Sequence, residues 1–461
     1  MTLTPALVKA TVVGGLSGLL FGFDTAVISG TTTGLTKAYG LTPGGLGLTV
    51  SIALWGTVAG ALLAGIPGDR YGRRDSLRVL AALYLAGALG CPLAWSWYAL
   101  MFFRFVVGLA IGASSVIGPM YLAEISPAEW RGRLVGVFQF NIVLGILAAY
   151  LSNYMIANYS IGSASLGGDA EWRWKFGVAA IPAALLLGML FAIPRSPRWL
   201  VEQGYIDEAR AVLKLIGEQE VEATLTAMRD AKDLEIQYGQ ERLFAARNRF
   251  PVFLAVSIAM FNQLSGINAI LYYLNDIFAQ AGFNKMSGDL QAVAIGATNL
   301  VFTVLAMLII DRAGRRLLLT IGAIGTAACL AGVAVIFGTG RNGGLLLWLL
   351  IGFIASFAFS QGAVIWVYIS EVFPTAVRSR GQSLGSSTHW IMNALISFAF
   401  PIVAASSRTA PFAFFSAMMV LQLIVVRVSY PETKGVSLES MEERLASGSL
   451  RRGAHLRQPQ D

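Results

Sequence analysis

The chain has 461 residues, of which 56% are hydrophobic and only 13% charged, and it contains 50 glycines. A chain this apolar is not an ordinary soluble protein, and glycine-rich helices are typical of membranes. The net charge of +8 does not indicate nucleic-acid binding, because the basic residues gather in short turns between apolar stretches.

Twelve apolar stretches follow one another along the chain, and most are as long as a hydrocarbon core of ~30 Å requires of a helix. They cover residues 8–30, 48–67, 77–95, 100–122, 134–153, 176–193, 252–280, 291–310, 317–337, 345–370, 383–405 and 411–429. A membrane β-barrel would instead show segments of about ten residues that alternate in polarity. The sequence therefore predicts an all-α membrane protein with twelve transmembrane helices.

The turns between these stretches alternate between basic and nearly uncharged. Arginines concentrate in 68–78, 131–133, 311–316 and 378–380, whereas the loops 94–99 and 153–170 contain no basic residue. This asymmetry predicts that both termini and the arginine-rich turns lie in the cytoplasm. No cleavable signal precedes the first stretch, so we expect the first helix to direct insertion into a bacterial inner membrane.

Three motifs occur twice at nearly the same spacing, which indicates a duplicated architecture. The pairs are Asp69-Arg70-Tyr-Gly-Arg73 with Asp311-Arg312-Ala-Gly-Arg315, Glu124-x-x-Pro-x-x-x-Arg131 with Glu371-x-x-Pro-x-x-x-Arg378, and Pro194-Arg-Ser-Pro-Arg with Pro431-Glu432-Thr-Lys-Gly. We expect two six-helix bundles related by a pseudo-two-fold axis, residues 1–194 and 250–430, with short cytoplasmic linker helices in 195–249 and a cytoplasmic tail in 431–461. Such a repeat places a substrate site near the midplane between halves that rock against each other.

One acidic residue lies within the first predicted span. An Asp there costs about 2.5–3.5 kcal/mol on insertion scales, so Asp24 predicts a functional site with a cationic partner. Arg104 lies near the start of the fourth span, at an expected depth in the membrane similar to that of Asp24, and the two side chains can meet. A static buried ion pair without a transport role is the alternative.

Polar side chains also line the seventh span. On a regular helix Asn262, Ser265 and Asn268 share one side, whereas Gln263 points away from it. Both amides can face one ligand only if the helix loosens near Gly266; otherwise each amide can serve as a hydrogen bond between helices.

Together with Gly22-Phe-Asp24-Thr in the first span and Gln263-Leu-Ser-Gly266-Ile-Asn268 in the seventh, the repeated motifs resemble the sugar porter family of the major facilitator superfamily. The family includes proton-coupled bacterial xylose, galactose and arabinose transporters, plant sugar symporters and animal glucose facilitators. The resemblance implies that Asp24 is the protonation site and Arg104 its partner. It also implies a set of sugar contacts by position, namely Gln139, Gln263, Asn268, Asn299, Trp366, Trp390 and Asn393.

Three residues depart from the family pattern. Asn262 replaces the first of two glutamines, and His389 stands before Trp390 where an amide is usual, which adds a histidine to the predicted substrate site. Arg195 occupies a position that is normally acidic, which puts the N-terminal half of the cytoplasmic charge network in doubt.

The combined prediction is proton symport of a monosaccharide, such as glucose or xylose, by a monomer that alternates its access. Amides and aromatic faces suit a neutral sugar, and no motif suggests a metal, a cofactor, an enzyme activity or a nucleotide-binding loop. The expected outer gate is Tyr272 and Tyr273. The expected cytoplasmic gate comprises Asp69, Arg70, Arg73, Glu124, Arg131, Asp311, Arg312, Arg315, Glu371, Arg378 and Glu432. A passive facilitator, a drug antiporter of the same fold and a membrane sugar sensor remain as alternatives.

Overall fold

The computed structural model describes residues 4–127, 130–158, 160–161, 164–165, 170–238, 242–374 and 377–434. Within these ranges, 12 helices are long and apolar enough to cross a membrane. Each overlaps one predicted stretch, so the prediction of an all-helical protein with twelve spans is confirmed. The helix ends differ from the predicted ones because capping residues extend them. Ser96, for example, accepts the backbone N–H of Ala99 at 3.2 Å and starts the fourth span three residues early.

The first half contains α1 Pro5–Val27, α2 Thr32–Tyr39, α3 Pro43–Leu63, α4 Gly65–Tyr71, α5 Arg73–Leu93, α6 Trp97–Ile125, α7 Arg131–Asn158, α8 Glu171–Val178 and α9 Ala180–Met189, of which α2 and α4 lie outside the spans. Three linker helices follow: α10 Pro197–Glu202, α11 Ile206–Ile216 and α12 Val221–Tyr238. The second half contains α13 Arg249–Leu264, α14 Ile267–Tyr272, α15 Leu274–Gln280, α16 Lys285–Ala313, α17 Arg315–Thr339, α18 Leu346–Phe359, α19 Gln361–Val372, α20 Arg378–Ser406 and α21 Ala410–Ser429, of which α15 lies beyond the end of the seventh span. Two short strands, β1 Ser160–Ile161 and β2 Ala164–Ser165, pair antiparallel in the loop after α7.

Glycines let the helices of the first half approach closely. A Cβ on Gly108 of α6 would lie 1.8 Å from the carbonyl oxygen of Ala53 in α3, and one on Gly112 would lie 2.1 Å from that of Thr57. Backbones at this separation gain van der Waals contact that larger side chains would prevent. Between the halves, α3 packs against α20 and α7 packs against α16, and these contacts frame the centre of the molecule.

The seventh span is broken at Gly266, where the sequence leaves open a loosened helix. Gly266 adopts φ +80°, α13 ends at Leu264, and α14 begins at Ile267. A side chain on Gly266 would also collide with the ring of Phe415, since a Cβ would lie 2.3 Å from it. The tenth span is divided as well, at Ser360, between α18 and α19.

Candidate functional site

Asp24 and Arg104 meet inside the first half of the molecule. Arg104 Nη1 donates to Asp24 Oδ1 at 2.7 Å. The side chain of Asp24 is only 13% exposed and that of Arg104 only 3%. A cavity of about 20 Å³ beside them is lined also by Tyr272 and Trp390, and this volume is enough for about one water molecule. The predicted contact is therefore present, in a setting where a single water can reach the carboxylate.

The amides of the seventh span form one hydrogen-bonded chain across the break at Gly266. Asn268 Nδ2 donates to Gln263 Oε1 at 3.0 Å, and Gln263 Nε2 donates to Asn262 Oδ1 at 3.0 Å. The same Gln263 nitrogen lies 3.2 Å from the ring nitrogens of His389 in α20. The break thus brings both amides together, as the sequence predicts. A ligand that uses either amide must exchange one of these bonds.

Aromatic rings enclose the amide chain from the C-terminal half. The His389 ring centroid lies 5.1 Å from that of Trp366 and 5.0 Å from that of Trp390. Trp390 in turn contacts Phe21 of α1 at 5.3 Å. Trp366 is 38% exposed and so presents a partly open indole face, whereas Trp390 is buried. An indole face beside amides can cover the apolar C–H face of a sugar ring while the amides bind its hydroxyls.

The remaining predicted contacts lie farther from this chain. Asn393 donates to the Tyr272 hydroxyl at 3.1 Å, and Asn299 on α16 accepts from Thr303. Gln139 lies on α7 and is half-buried. Within the described ranges, no hydrogen bond joins Gln139 or Asn299 to the amides of the seventh span. Their assignment as sugar contacts stays a prediction.

Both tyrosines of the predicted outer gate are fully buried. The Tyr273 hydroxyl donates to the carbonyl of Ser397 at 2.9 Å. Tyr150 of the first half donates to the carbonyl of Leu271 at 2.9 Å and so ties α7 to the end of α14. Because Tyr150 joins the first half to α14 of the second half, the two halves are in contact on the face opposite the arginine-rich turns.

A second layer of contacts, which we call the outer seam, joins the halves beyond these tyrosines. Ser29 donates to Asn275 at 3.1 Å and Thr32 donates to Asp276 at 3.0 Å. Lys285 of α16 forms an ion pair with Glu171 of α8, whose side chain is only 8% exposed. Sequence reasoning missed this seam, since its residues stand singly near the ends of helices and form no motif.

Two further features make the outer seam electrostatically sensitive. Glu171 also pairs with the fully buried Lys175 at 2.5 Å, so a single carboxylate serves two lysines. Asp276 lies beyond the end of the seventh span, and burial raises the pKa of its carboxyl to about 7, although the hydrogen bond from Thr32 opposes the shift. Its charge therefore changes near neutral pH.

On the arginine-rich face, the repeated motifs form matching networks in the two halves. Arg73 pairs with Glu124 at 3.0 Å in the first half, and Arg315 pairs with Glu371 at 2.8 Å in the second. Ser196 donates to Glu124, as Thr433 does to Glu371. Where both side chains of an ion pair are described, each pair on this face stays within one half or joins the linker.

The two networks differ at Arg195. In the second half, Glu432 accepts the backbone N–H groups of Arg315 and Arg316 at 2.9 and 3.0 Å and so caps the start of α17. Arg195 cannot accept these bonds. It instead pairs with Asp75 in the first turn of α5 at 3.4 Å and with Glu208 of the linker at 3.5 Å. The N-terminal half therefore has ion pairs of Arg195 at this position, without the helix cap that Glu432 provides in the second half.

Other predicted gate residues are placed on the surface of this face. Asp69 is exposed and pairs with Arg73 at 3.3 Å, and Arg70 lies over the ring of Tyr71. The exposed Arg312 offers its carbonyl to Lys434, and Arg378 donates to the carbonyl of Phe373. The side chains of Arg131 and Asp311 lie outside the described residues.

The linker helices pack on the first half. Trp199 of α10 donates to the carbonyl of Asp69 at 2.8 Å and covers Gly72, whose φ is +85°. A Cβ on Gly72 would lie 2.9 Å from the indole. Only glycine fits this position of the first repeated motif, because its φ is positive and the Trp199 ring leaves no room for a side chain.

Known proteins agree with this architecture over nearly the whole chain. The family model for sugar (and other) transporters matches residues 10–445. A D-xylose transporter of Levilactobacillus brevis is 34% identical over 439 residues, covering 94% of both chains. The D-xylose-proton symporter of Escherichia coli is 34% identical over 467 residues, also covering 94% of both chains.

A solved structure extends the agreement to the fold. The inward open conformation of the xylose transporter XylE from Escherichia coli superposes with a TM-score of 0.84 at 32% identity and covers 95% of this chain and 99% of its own. This chain belongs to the sugar porter family of the major facilitator superfamily, and it is a multi-pass membrane protein of the sugar transporter class.

Proposed function

We propose that the protein carries a neutral monosaccharide together with a proton across the bacterial inner membrane by alternating access. The observation that carries the proposal is the buried pair of Asp24 and Arg104 beside a cavity the size of one water. A carboxylate in this position can gain and lose a proton within the span, which a passive carrier does not require.

The substrate class follows from the seventh and eleventh spans. Amide groups both donate and accept hydrogen bonds, and the chain of Asn268, Gln263 and Asn262 faces the rings of Trp366 and His389. Hydroxyl groups of a sugar can replace the bonds within this chain without leaving an amide unpaired. Two relatives are named for D-xylose, so D-xylose is the first substrate to test, with glucose as the hexose for comparison.

The conformation described here suits a carrier that is open toward the arginine-rich face. The halves are joined across the outer seam, while the described ion pairs on the other face stay within a half or reach the linker. The likeness to an inward open structure supports the same assignment. By the positive-inside rule, the arginine-rich face and both termini would then be cytoplasmic.

The decisive experiment replaces Asp24 by asparagine, which imitates the protonated form and cannot release a proton. In proteoliposomes we expect Asp24→Asn to abolish accumulation of labelled D-xylose against its gradient while exchange of internal for external sugar persists. Each wild-type cycle moves one charge, worth about 2.3 kcal/mol per 100 mV, so a membrane potential should also drive uptake.

Asp207→Asn is the matched control, because Asp207 is a fully exposed carboxylate on the linker and should behave as wild type. Accumulation by the Asp24→Asn protein would show that another group couples the proton. A wild-type protein that equilibrates sugar but ignores a pH gradient would be a passive facilitator. A protein that binds D-xylose without moving it would be a sensor.

A further inference from the structure

A second and larger cavity lies outside the closed gate. Its volume is about 620 Å³, and it lies between α2 and α8 of the first half and α15 and α16 of the second. No predicted central sugar contact lines it. Its size is within the roughly 300–1,000 Å³ of small-molecule sites, and we call it the outer vestibule.

A buried carboxylate oxygen in the outer vestibule has no hydrogen-bond donor. Asp289 is only 1% exposed, and one of its oxygens accepts from the amide of Asn275. Its other oxygen, Oδ2, has no hydrogen-bond partner among the described residues. Asp289 belongs to the lining of the cavity, so a ligand there can supply the missing donor once the carboxylate turns toward it.

The charges around Asp289 restrict what that ligand can be. Lys37, Lys175 and Lys285 line the same cavity, so a cation would meet three ammonium groups. An anion would meet Asp289 itself and Glu171. A neutral molecule with several hydroxyl groups avoids both penalties, because its hydroxyls can donate to the carboxylate and accept from an ammonium group. Trp172 adds an indole to the wall.

We propose that the outer vestibule is a second monosaccharide site, which holds a sugar outside the closed gate with Asp289 as its principal acceptor. This inference rests on the proposed sugar transport, because the same substrate must reach the vestibule before the halves part. The site is complete while the outer seam is closed, since Asn275 and Asp289 come from one half and Trp172 and Lys37 from the other. Parting of the halves dismantles it and releases the sugar toward the central site.

The test is equilibrium binding of radiolabelled D-xylose to the purified full chain. We expect the wild type to show two classes of site. Asp289→Asn, which keeps the side-chain shape, should weaken the outer class at least tenfold and leave the central class intact. Gln263→Ala should do the opposite, and Asp207→Asn should retain both classes.

Ala38→Trp provides a second route to the same answer. Ala38 is exposed and lines the vestibule, so a bulky side chain there should fill the space without touching Asp289. If Asp289→Asn does not fold, loss of the outer class in Ala38→Trp decides the question. A single wild-type class that both variants leave unchanged would overturn the vestibule site but preserve the proposed transport. Absence of any D-xylose or glucose binding would overturn the transport assignment itself.

Discussion

The ion pair between Lys285 and Glu171 predicts how firmly the outer face is closed. Replacing Lys285 by glutamate places a second carboxylate beside Glu171. Two carboxylates about 4 Å apart repel each other by roughly 4 kcal/mol at an effective dielectric constant of 20. The Lys285 side chain is 61% exposed, so solvent screens most of this repulsion. We expect about 1–2 kcal/mol of net destabilisation of the closed face, which is an increase of roughly tenfold in the outward-open population.

Cysteine labelling can measure this population. Ile28 is fully buried and lines the small cavity beside Asp24, so a cysteine there reacts with an impermeant thiol reagent only when the outer face opens. The assay uses Ile28→Cys in a protein whose own cysteines, Cys91 and Cys329, are replaced by alanine. The labelling rate should rise in the order Lys285→Arg, Lys285→Gln and Lys285→Glu, with the arginine variant close to wild type.

A charge reversal on the same face but away from the seam separates local from general effects. Arg341 is exposed in the loop after α17, and Arg341→Glu should leave the labelling rate unchanged. The reasoning fails if Lys285→Glu labels within twofold of wild type, or if Arg341→Glu accelerates labelling as much. Either result would mean that the tyrosine layer alone holds the outer face shut.

Three further outcomes are expected from other parts of the fold. Gly266→Ala should lower unfolding stability in detergent by about 2–4 kcal/mol, since it combines positive φ with a ring collision, whereas Gly188→Ala, with open space around it, should be neutral. A double-mutant cycle of Asp75→Asn with Arg195→Gln should give a coupling of at most ~1 kcal/mol, because both side chains are partly exposed. The labelling rate of Ile28→Cys should increase as pH rises from about 4 to 7 and then level off, because buried Asp276 holds its proton more tightly in the closed state. The substitution Asp276→Asn should remove this dependence on pH.

Each of these outcomes has a clear contradiction. Equal stability of the two alanine variants would mean that α14 can rotate to accept a side chain at Gly266. A coupling well above ~1 kcal/mol would show that the partial exposure of Asp75 and Arg195 does not screen their ion pair. A pH slope that survives Asp276→Asn would point to another group at the seam, such as Asp289.

The sequence predicted the spans and the two charges in the membrane because each rests on a local and expensive feature. Long apolar runs have few structures open to them in a bilayer, and an acid within a span requires a partner. The break at Gly266 was predictable for the same reason, since two amides on opposite sides of a helix cannot otherwise share a ligand. These predictions needed only the helix period and the polarity of single residues.

The outer seam and the role of Arg195 could not be predicted in that way. Lys285 and Glu171 are far apart in the chain, and which helix ends meet depends on the conformation of the carrier as well as its fold. In the sequence, Arg195 is simply a basic residue at a position that is normally acidic. The motif does not reveal that Arg195 pairs with Asp75 of another helix. Pairing between distant helix ends is a property of the packed halves, and a single sequence does not display it.

The arrangement of Trp390 suggests why proton and sugar can be coupled in so small a space. This residue belongs to the second half, yet it lines the cavity beside Asp24 and Arg104 of the first half and also contacts His389 next to the amide chain. In the proposed cycle, protonation of Asp24 weakens its bond to Arg104 and alters the wall that Trp390 forms. A sugar that displaces the Gln263 contact with His389 acts on the same ring pair from the other side. Both ligands thus bear on Trp390, which contacts Phe21 of the first half, and a shared residue of this kind allows each ligand to change the affinity for the other.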